Sequence, residues 1–124
     1  MEKREMARWF GVARVNVGAS LFLVPSLSAA TWVGRDAKTA GVRTFSRGFG
    51  ARDAALGIGL LRALEDDDPA AIRLWLLLGV LADAGDTIGT LASWRGLPRV
   101  RRLLVLAGAG GFAAFGAWLS QQFA

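Results

Sequence analysis

Cysteine and histidine are both missing from this 124-residue chain, and the two absences remove most familiar enzymatic and metal chemistry. Without cysteine there is no disulfide, no thiolate nucleophile and no thiolate metal site. Without histidine, the commonest metal ligand, the commonest general base and the usual haem ligand go together. The sequence therefore predicts no metal and no cofactor. Proline is scarce, at three residues. Charge is scarce as well: Asp, Glu, Lys and Arg make up 20% of the chain against 53% apolar residues, and the mean hydropathy is +0.38. A soluble domain carries roughly a quarter charged residues, spread along its length. Here the charges are bunched between long apolar runs. The 16 glycines accompany Leu, Ala, Val and Trp, a mixture that suits membrane helices better than disorder. The net charge of +5 does not point to nucleic acid, because the basic residues flank apolar segments and form no continuous basic face.

The apolar runs predict an all-α integral membrane bundle of four transmembrane helices, up-down-up-down, in one domain covering residues 1–124. At ~1.5 Å per residue each run is long enough to cross a hydrocarbon core. The first span covers about Trp9 to Leu27, with Trp9 and Trp32 near the two interfaces. The segment Pro25-Ser-Leu-Ser-Ala-Ala30 has the look of a signal-peptidase site, but Arg14 and Asn16 interrupt the apolar run before it, so the span is read as uncleaved. Gly34 to Arg43 is a polar connection. The second span covers about Thr44 to Leu64 and ends at the acidic run Glu65-Asp66-Asp67-Asp68. Pro69 suits the first turn of the next helix, with Asp68 as its N-cap. The third span covers about Ala70 to Ser93 and the fourth about Leu103 to Leu119, joined by a basic turn from Trp94 to Arg102. Both termini then lie on one side. Basic residues on the two sides are Lys3, Arg4, Arg8, Arg62 and Arg73 against Arg35, Lys38, Arg43, Arg95, Arg99, Arg101 and Arg102. The tally weakly favours the second group as cytoplasmic, while the basic N-terminal tail resists translocation, so orientation stays open.

A bilayer makes misplaced charges informative, because an ionisable residue at mid-span costs a few kcal/mol and usually faces protein or water with a partner. Span one carries Arg14 and Asn16; span two Arg47, Arg52 and Asp53; span three Asp83, Asp86, Thr87 and Thr90; span four none. Helical rise places Asp83, Arg14 and Asn16 near mid-depth, with Arg52, Asp53 and Asp86 nearer the loop joining spans one and two. All of these therefore converge on one half of the bundle. Asp83, Asp86, Thr87 and Thr90 share a face by their three- and four-residue steps. The ligand-binding candidates are accordingly Arg14, Asn16, Arg47, Arg52, Asp53, Asp83, Asp86 and Thr87, with Asp53 and Asp83 paired to Arg14, Arg47 or Arg52. Gly85 and Gly89 form a small-xxx-small pair on another face of span three, which suits close approach of a further helix and makes span three the expected central helix.

The stretch Arg47-Gly-Phe-Gly-Ala-Arg52-Asp53-Ala-Ala-Leu-Gly57, a first span ending at Pro25 and the later Asp83-Ala-Gly-Asp86 resemble small four-span bacterial membrane proteins of unknown function, broadly similar to DoxX-like proteins. The resemblance implies the four-span fold and a bacterial inner (cell) membrane. It implies no activity and no catalytic residue.

Three functions remain open at this point. The Arg/Asp cluster binds a small lipophilic or amphipathic molecule, with or without chemistry on it. Alternatively, the chain is a transporter of a small ion or proton, working as a dimer. Alternatively, it is an accessory protein whose three basic and three acidic intramembrane groups merely neutralise one another. Partners in keeping with these readings are membrane lipid, a lipophilic small molecule and a second copy of the chain in a homodimer built on the glycine faces, but not nucleic acid.

Overall fold

Apolar periodicity without β-type alternation gives helix throughout, and the computed structural model, which describes residues 1–124, contains no strand. Four long helices carry the architecture: α1 (Lys3–Leu23), α4 (Ala40–Glu65), α5 (Pro69–Ala92) and α6 (Arg99–Gln121). Two short helices, α2 (Pro25–Ser28) and α3 (Ala30–Val33), and a 3-10 turn (Gly34–Lys38) follow α1.

Local chemistry sets the boundaries. Asp68 caps α5 by accepting from the Ala71 N–H at 3.0 Å, with Pro69 in the first turn as the sequence indicates. Thr39 caps α4 in the same way, accepting from Val42 N–H at 3.3 Å. This cap starts α4 at Ala40, so part of the expected polar connection Gly34–Arg43 is helix. The first helix stops at Leu23 rather than near Leu27. Pro25 disfavours helical geometry in the residue before it, and Val24 sits at φ −130°, ψ 60°. The chain then bends by 113° between α1 and the segment Pro25–Lys38. Gly34 adopts φ +66°, a conformation natural to glycine.

Helix α1 lies against α4 and runs antiparallel to it: Gly18 meets Gly50 and Ala54, and Gly11 meets Gly57 and Leu61. The approach is backbone to backbone. A Cβ on Gly57 would stand 2.6 Å from the Gly11 carbonyl oxygen, and one on Gly50 would stand 2.8 Å from the Phe22 nitrogen. The stripe Gly50, Asp53, Gly57 thus faces α1, while the adjacent Arg52 and Gly59 face α5. Helix α5 is not a hub. It packs mainly on α6, and the closest helix pair is α1 with α4. The expected close contact at Gly85 and Gly89 is absent within the chain, since a Cβ on either would meet nothing within 4 Å. That face of α5 points away from the other helices.

The two ends of the four-helix assembly differ. At the end holding the termini and the acidic turn, Phe10, Leu60, Leu64, Ile72, Leu76 and Leu119 form a closed apolar core. Lys3 donates to the Gln122 carbonyl at 2.8 Å, and Arg4 donates to the Leu64 carbonyl at 2.7 Å. The opposite end is covered by the α2–α3 segment, which Arg101 on α6 holds by donating to the Ala30 carbonyl. The outer surface is strongly apolar. Leu74, Leu81, Ile88 and Leu91 on α5 and Val100 and Leu103 on α6 are all more than half exposed. Helices α5 and α6 are each long and apolar enough to cross a membrane, and α1 joins them when taken with its bent continuation.

Candidate functional site

The polar cluster forms where α1, α4 and α5 come together just above the apolar core. Arg14 enters from α1, Arg52 and Asp53 from α4, Asp83 and Asp86 from α5. Arg14 is 2% exposed and Asp83 4%, and Asp53 is buried too, so protein covers nearly all of their surface. Gly79, one turn before Asp83, makes the room: a Cβ there would sit 2.9 Å from Arg14 Nη2. Phe10 and Phe112 flank the Arg14 guanidinium, with ring centres 5.1 and 5.6 Å from its central carbon, at a spacing where a ring face attracts a cation.

Arg14 spans two helices. It donates through Nη1 to Asp53 Oδ1 at 3.3 Å and through Nη2 to Asp83 Oδ2. Arg52 grips Asp86 with both terminal nitrogens, at 3.0 Å to Oδ1 and 2.7 Å to Oδ2, and reaches Asp53 Oδ1 at 3.3 Å. Its Nε is buried and finds no acceptor. Asp53 therefore bridges the two arginines through a single oxygen. The other oxygens, Asp53 Oδ2 and Asp83 Oδ1, receive no hydrogen bond from the chain.

Beside the cluster lies a cavity of about 540 Å³, within the size range of small-molecule sites. Asp53, Asp83, Asp86 and Arg52 form its polar floor. Leu104, Val105, Gly108, Ala109 and Phe112 of α6 form an apolar wall, and Ser28, Thr31 and Trp32 of the α2–α3 segment form the cover. Ser20 and Ser28 share a hydrogen bond of 2.5 Å where the bent segment folds back onto α1. Trp32 stacks on Phe49 with ring centres 5.8 Å apart.

Five of the eight residues singled out in the sequence meet here: Arg14, Arg52, Asp53, Asp83 and Asp86. Three do not. Asn16 is exposed and returns its amide to the Val12 carbonyl at 2.8 Å, because two residues beyond Arg14 is nearly the opposite side of a helix. Arg47 is exposed, pairs with no carboxylate, and donates to the Phe22 carbonyl at 3.3 Å. Five residues from Arg52 is well over one helical turn, and its head emerges at the α1 terminus. Thr87 bonds the Asp83 carbonyl one turn back at 2.8 Å, the usual way a hydroxyl in a helix satisfies itself. Thr90 does the same to Asp86. Gly79, Trp32 and the apolar α6 wall are site features that polarity in the sequence does not flag. Only the broken helix at Pro25 hints that residues beyond it turn back.

The chain matches no protein-family model, no curated protein and no solved structure.

Proposed function

We propose that this chain is a four-span, up-down-up-down membrane protein, as the likeness to DoxX-like proteins implies, whose Arg/Asp cluster forms the floor of a binding pocket for a small amphipathic molecule. Supporting the membrane reading are the apolar outer surface and the inward turning of charge. Helix α4 has too many charged residues to qualify as a span by composition alone, but its Asp53 is buried and its Arg52 is clamped by carboxylates. The single observation that carries the ligand reading is the cavity itself. A purely structural charge cluster needs no open volume beside it, and this one faces about 540 Å³ walled by aliphatic and aromatic side chains.

Transport is the weaker reading. A conducting path needs polar groups toward both sides, whereas the half of the assembly beyond Arg14 is closed by Phe10, Leu60, Leu64, Ile72, Leu76 and Leu119.

Gly108→Leu tests the pocket. Gly108 lines the cavity, and a Cβ there would meet nothing within 4 Å, so leucine fills space without displacing the backbone. Native mass spectrometry of the chain extracted from membranes should show a small molecule retained by the wild type and lost from Gly108→Leu. Equal retention by both, or retention by neither, overturns the pocket reading.

A further inference from the structure

Which chemistry the cavity selects follows from the groups it leaves unsatisfied, an argument that rests on the pocket reading above. The cluster holds two arginines and three aspartates, a formal excess of one negative charge when all are ionised. Arg47 does not restore the balance, since it bonds a carbonyl and touches no carboxylate. Of the charged groups, only Arg52 and the three aspartates line the cavity, with Arg14 sealed behind them. The arginines are largely engaged by these carboxylates: both terminal nitrogens of Arg14 and of Arg52 donate to them, Arg52 Nη1 keeping one N–H to spare, and Arg52 Nε is enclosed by protein. Two carboxylate oxygens of cavity-lining residues are wholly unfilled: Asp53 Oδ2 and Asp83 Oδ1 take no donor from the chain. Trp32 lines the same space, and no arginine is stacked on it. Indole is the ring that attracts cations most strongly.

We infer that the cavity takes a protonated amine: an amphiphile whose ammonium N–H groups meet Asp53 and Asp83 and whose hydrocarbon lies against α6. Such a ligand cancels the excess charge, fills both free acceptors and buries its chain on Leu104, Val105 and Phe112. A carboxylate or phosphate of the same length meets repulsion from three aspartates, against one spare N–H on Arg52. The amine is either a lipid headgroup or a free lipophilic amine.

The test uses the full chain in phosphatidylcholine nanodiscs, with thermal unfolding followed by tryptophan fluorescence. Decylamine, decyltrimethylammonium and decanoate are the probes. Decylamine should raise the melting temperature saturably and bind at least about tenfold tighter than decanoate, the scale of one charge-assisted hydrogen bond. Decyltrimethylammonium, a cation without N–H donors, should fall between them. Asp83→Asn should abolish the preference for the amine. Gly108→Leu, which keeps every charge, should abolish saturable binding, so the result does not hang on Asp83→Asn folding. Nanodiscs containing phosphatidylethanolamine assign the source. If they blunt the decylamine shift, the headgroup amine occupies the site; if they do not, a free amine does. Binding of decanoate as tightly as decylamine, or the absence of any saturable shift, overturns the amine assignment. If decanoate binds and Gly108→Leu abolishes that binding, the pocket survives with a different ligand. If no probe distinguishes Gly108→Leu from wild type, the pocket falls as well.

Discussion

Arg52 and Asp86 are joined at two points, Nη1 to Oδ1 at 3.0 Å and Nη2 to Oδ2 at 2.7 Å, so the contact between α4 and α5 at the cavity floor has a fixed orientation as well as a charge. Lysine keeps the charge and loses the fork. Arg52→Lys should destabilise the chain in detergent by roughly 1.5 kcal/mol, the low end for hydrogen bonds to a charged group because Arg52 is partly exposed. Unfolding in graded denaturing detergent measures this, and a variant as stable as wild type would show that the two-point geometry contributes nothing.

Arg14 is shared by Asp53 and Asp83, which makes the cluster asymmetric toward mutation. Arg14→Gln leaves three aspartates against one arginine and should cost roughly 3–5 kcal/mol, the range for leaving buried charge uncompensated. Asp83→Asn leaves Arg14 paired with Asp53 and balances the cluster, so its cost should be clearly smaller. Asp67→Asn, at an exposed pair with Arg4, serves as the surface control and should be near neutral. Equal melting of Arg14→Gln and Asp83→Asn would remove the case for an acidic excess.

Gly57→Ala and Gly89→Ala change the same atom in opposite surroundings. At Gly57 the new Cβ would stand 2.6 Å from the Gly11 oxygen and 2.9 Å from the Val15 nitrogen, so α1 and α4 must separate, at roughly 1–3 kcal/mol for overpacking. At Gly89 nothing lies within 4 Å, and alanine should stabilise by up to about 1 kcal/mol through helix propensity. Thermal melting of the two variants should move in opposite directions.

The lack of cysteine allows single-cysteine mapping on an unmodified background. The proposed four-span topology puts Glu2, Asp67 and Gln122 on one side and Arg35 and Arg95 on the other. Cysteines at the first three positions should react with an impermeant maleimide from the same face of sealed vesicles, and those at the last two from the opposite face. Reaction of Asp67→Cys together with Arg95→Cys from one face would exclude a membrane crossing by α5.

The sequence by itself determined the four long helices and the levels along them at which the charged residues fall, though not the short helices α2 and α3 or the early end of α1. Runs of apolar residues punctuated by Asp68-Pro69 and by the basic turn leave few ways to place α5 and α6, because helix boundaries are local chemistry. Level along a helix is likewise a matter of counting residues at a fixed rise, which is why the polar residues, Asn16 and Arg47 among them, are recognisable as converging on one half of the assembly. The tertiary structure decided which of the polar residues face one another. Rotation about a helix axis and the distance between axes depend on contacts far apart in the chain. Gly18 against Gly50 and Gly11 against Gly57 draw α1 onto α4, which turns Arg14 inward, leaves Asn16 and Arg47 outside, and changes an apparent balance of three bases and three acids into two and three. The equally glycine-rich pair Gly85 and Gly89 meets no helix. A small residue permits close approach without requiring it, and only the packing of the whole chain selects which permission is used. The cavity, too, exists because the α2–α3 segment folds back at Pro25 and Arg101 holds it to α6, a contact between residues 71 positions apart that no local pattern encodes.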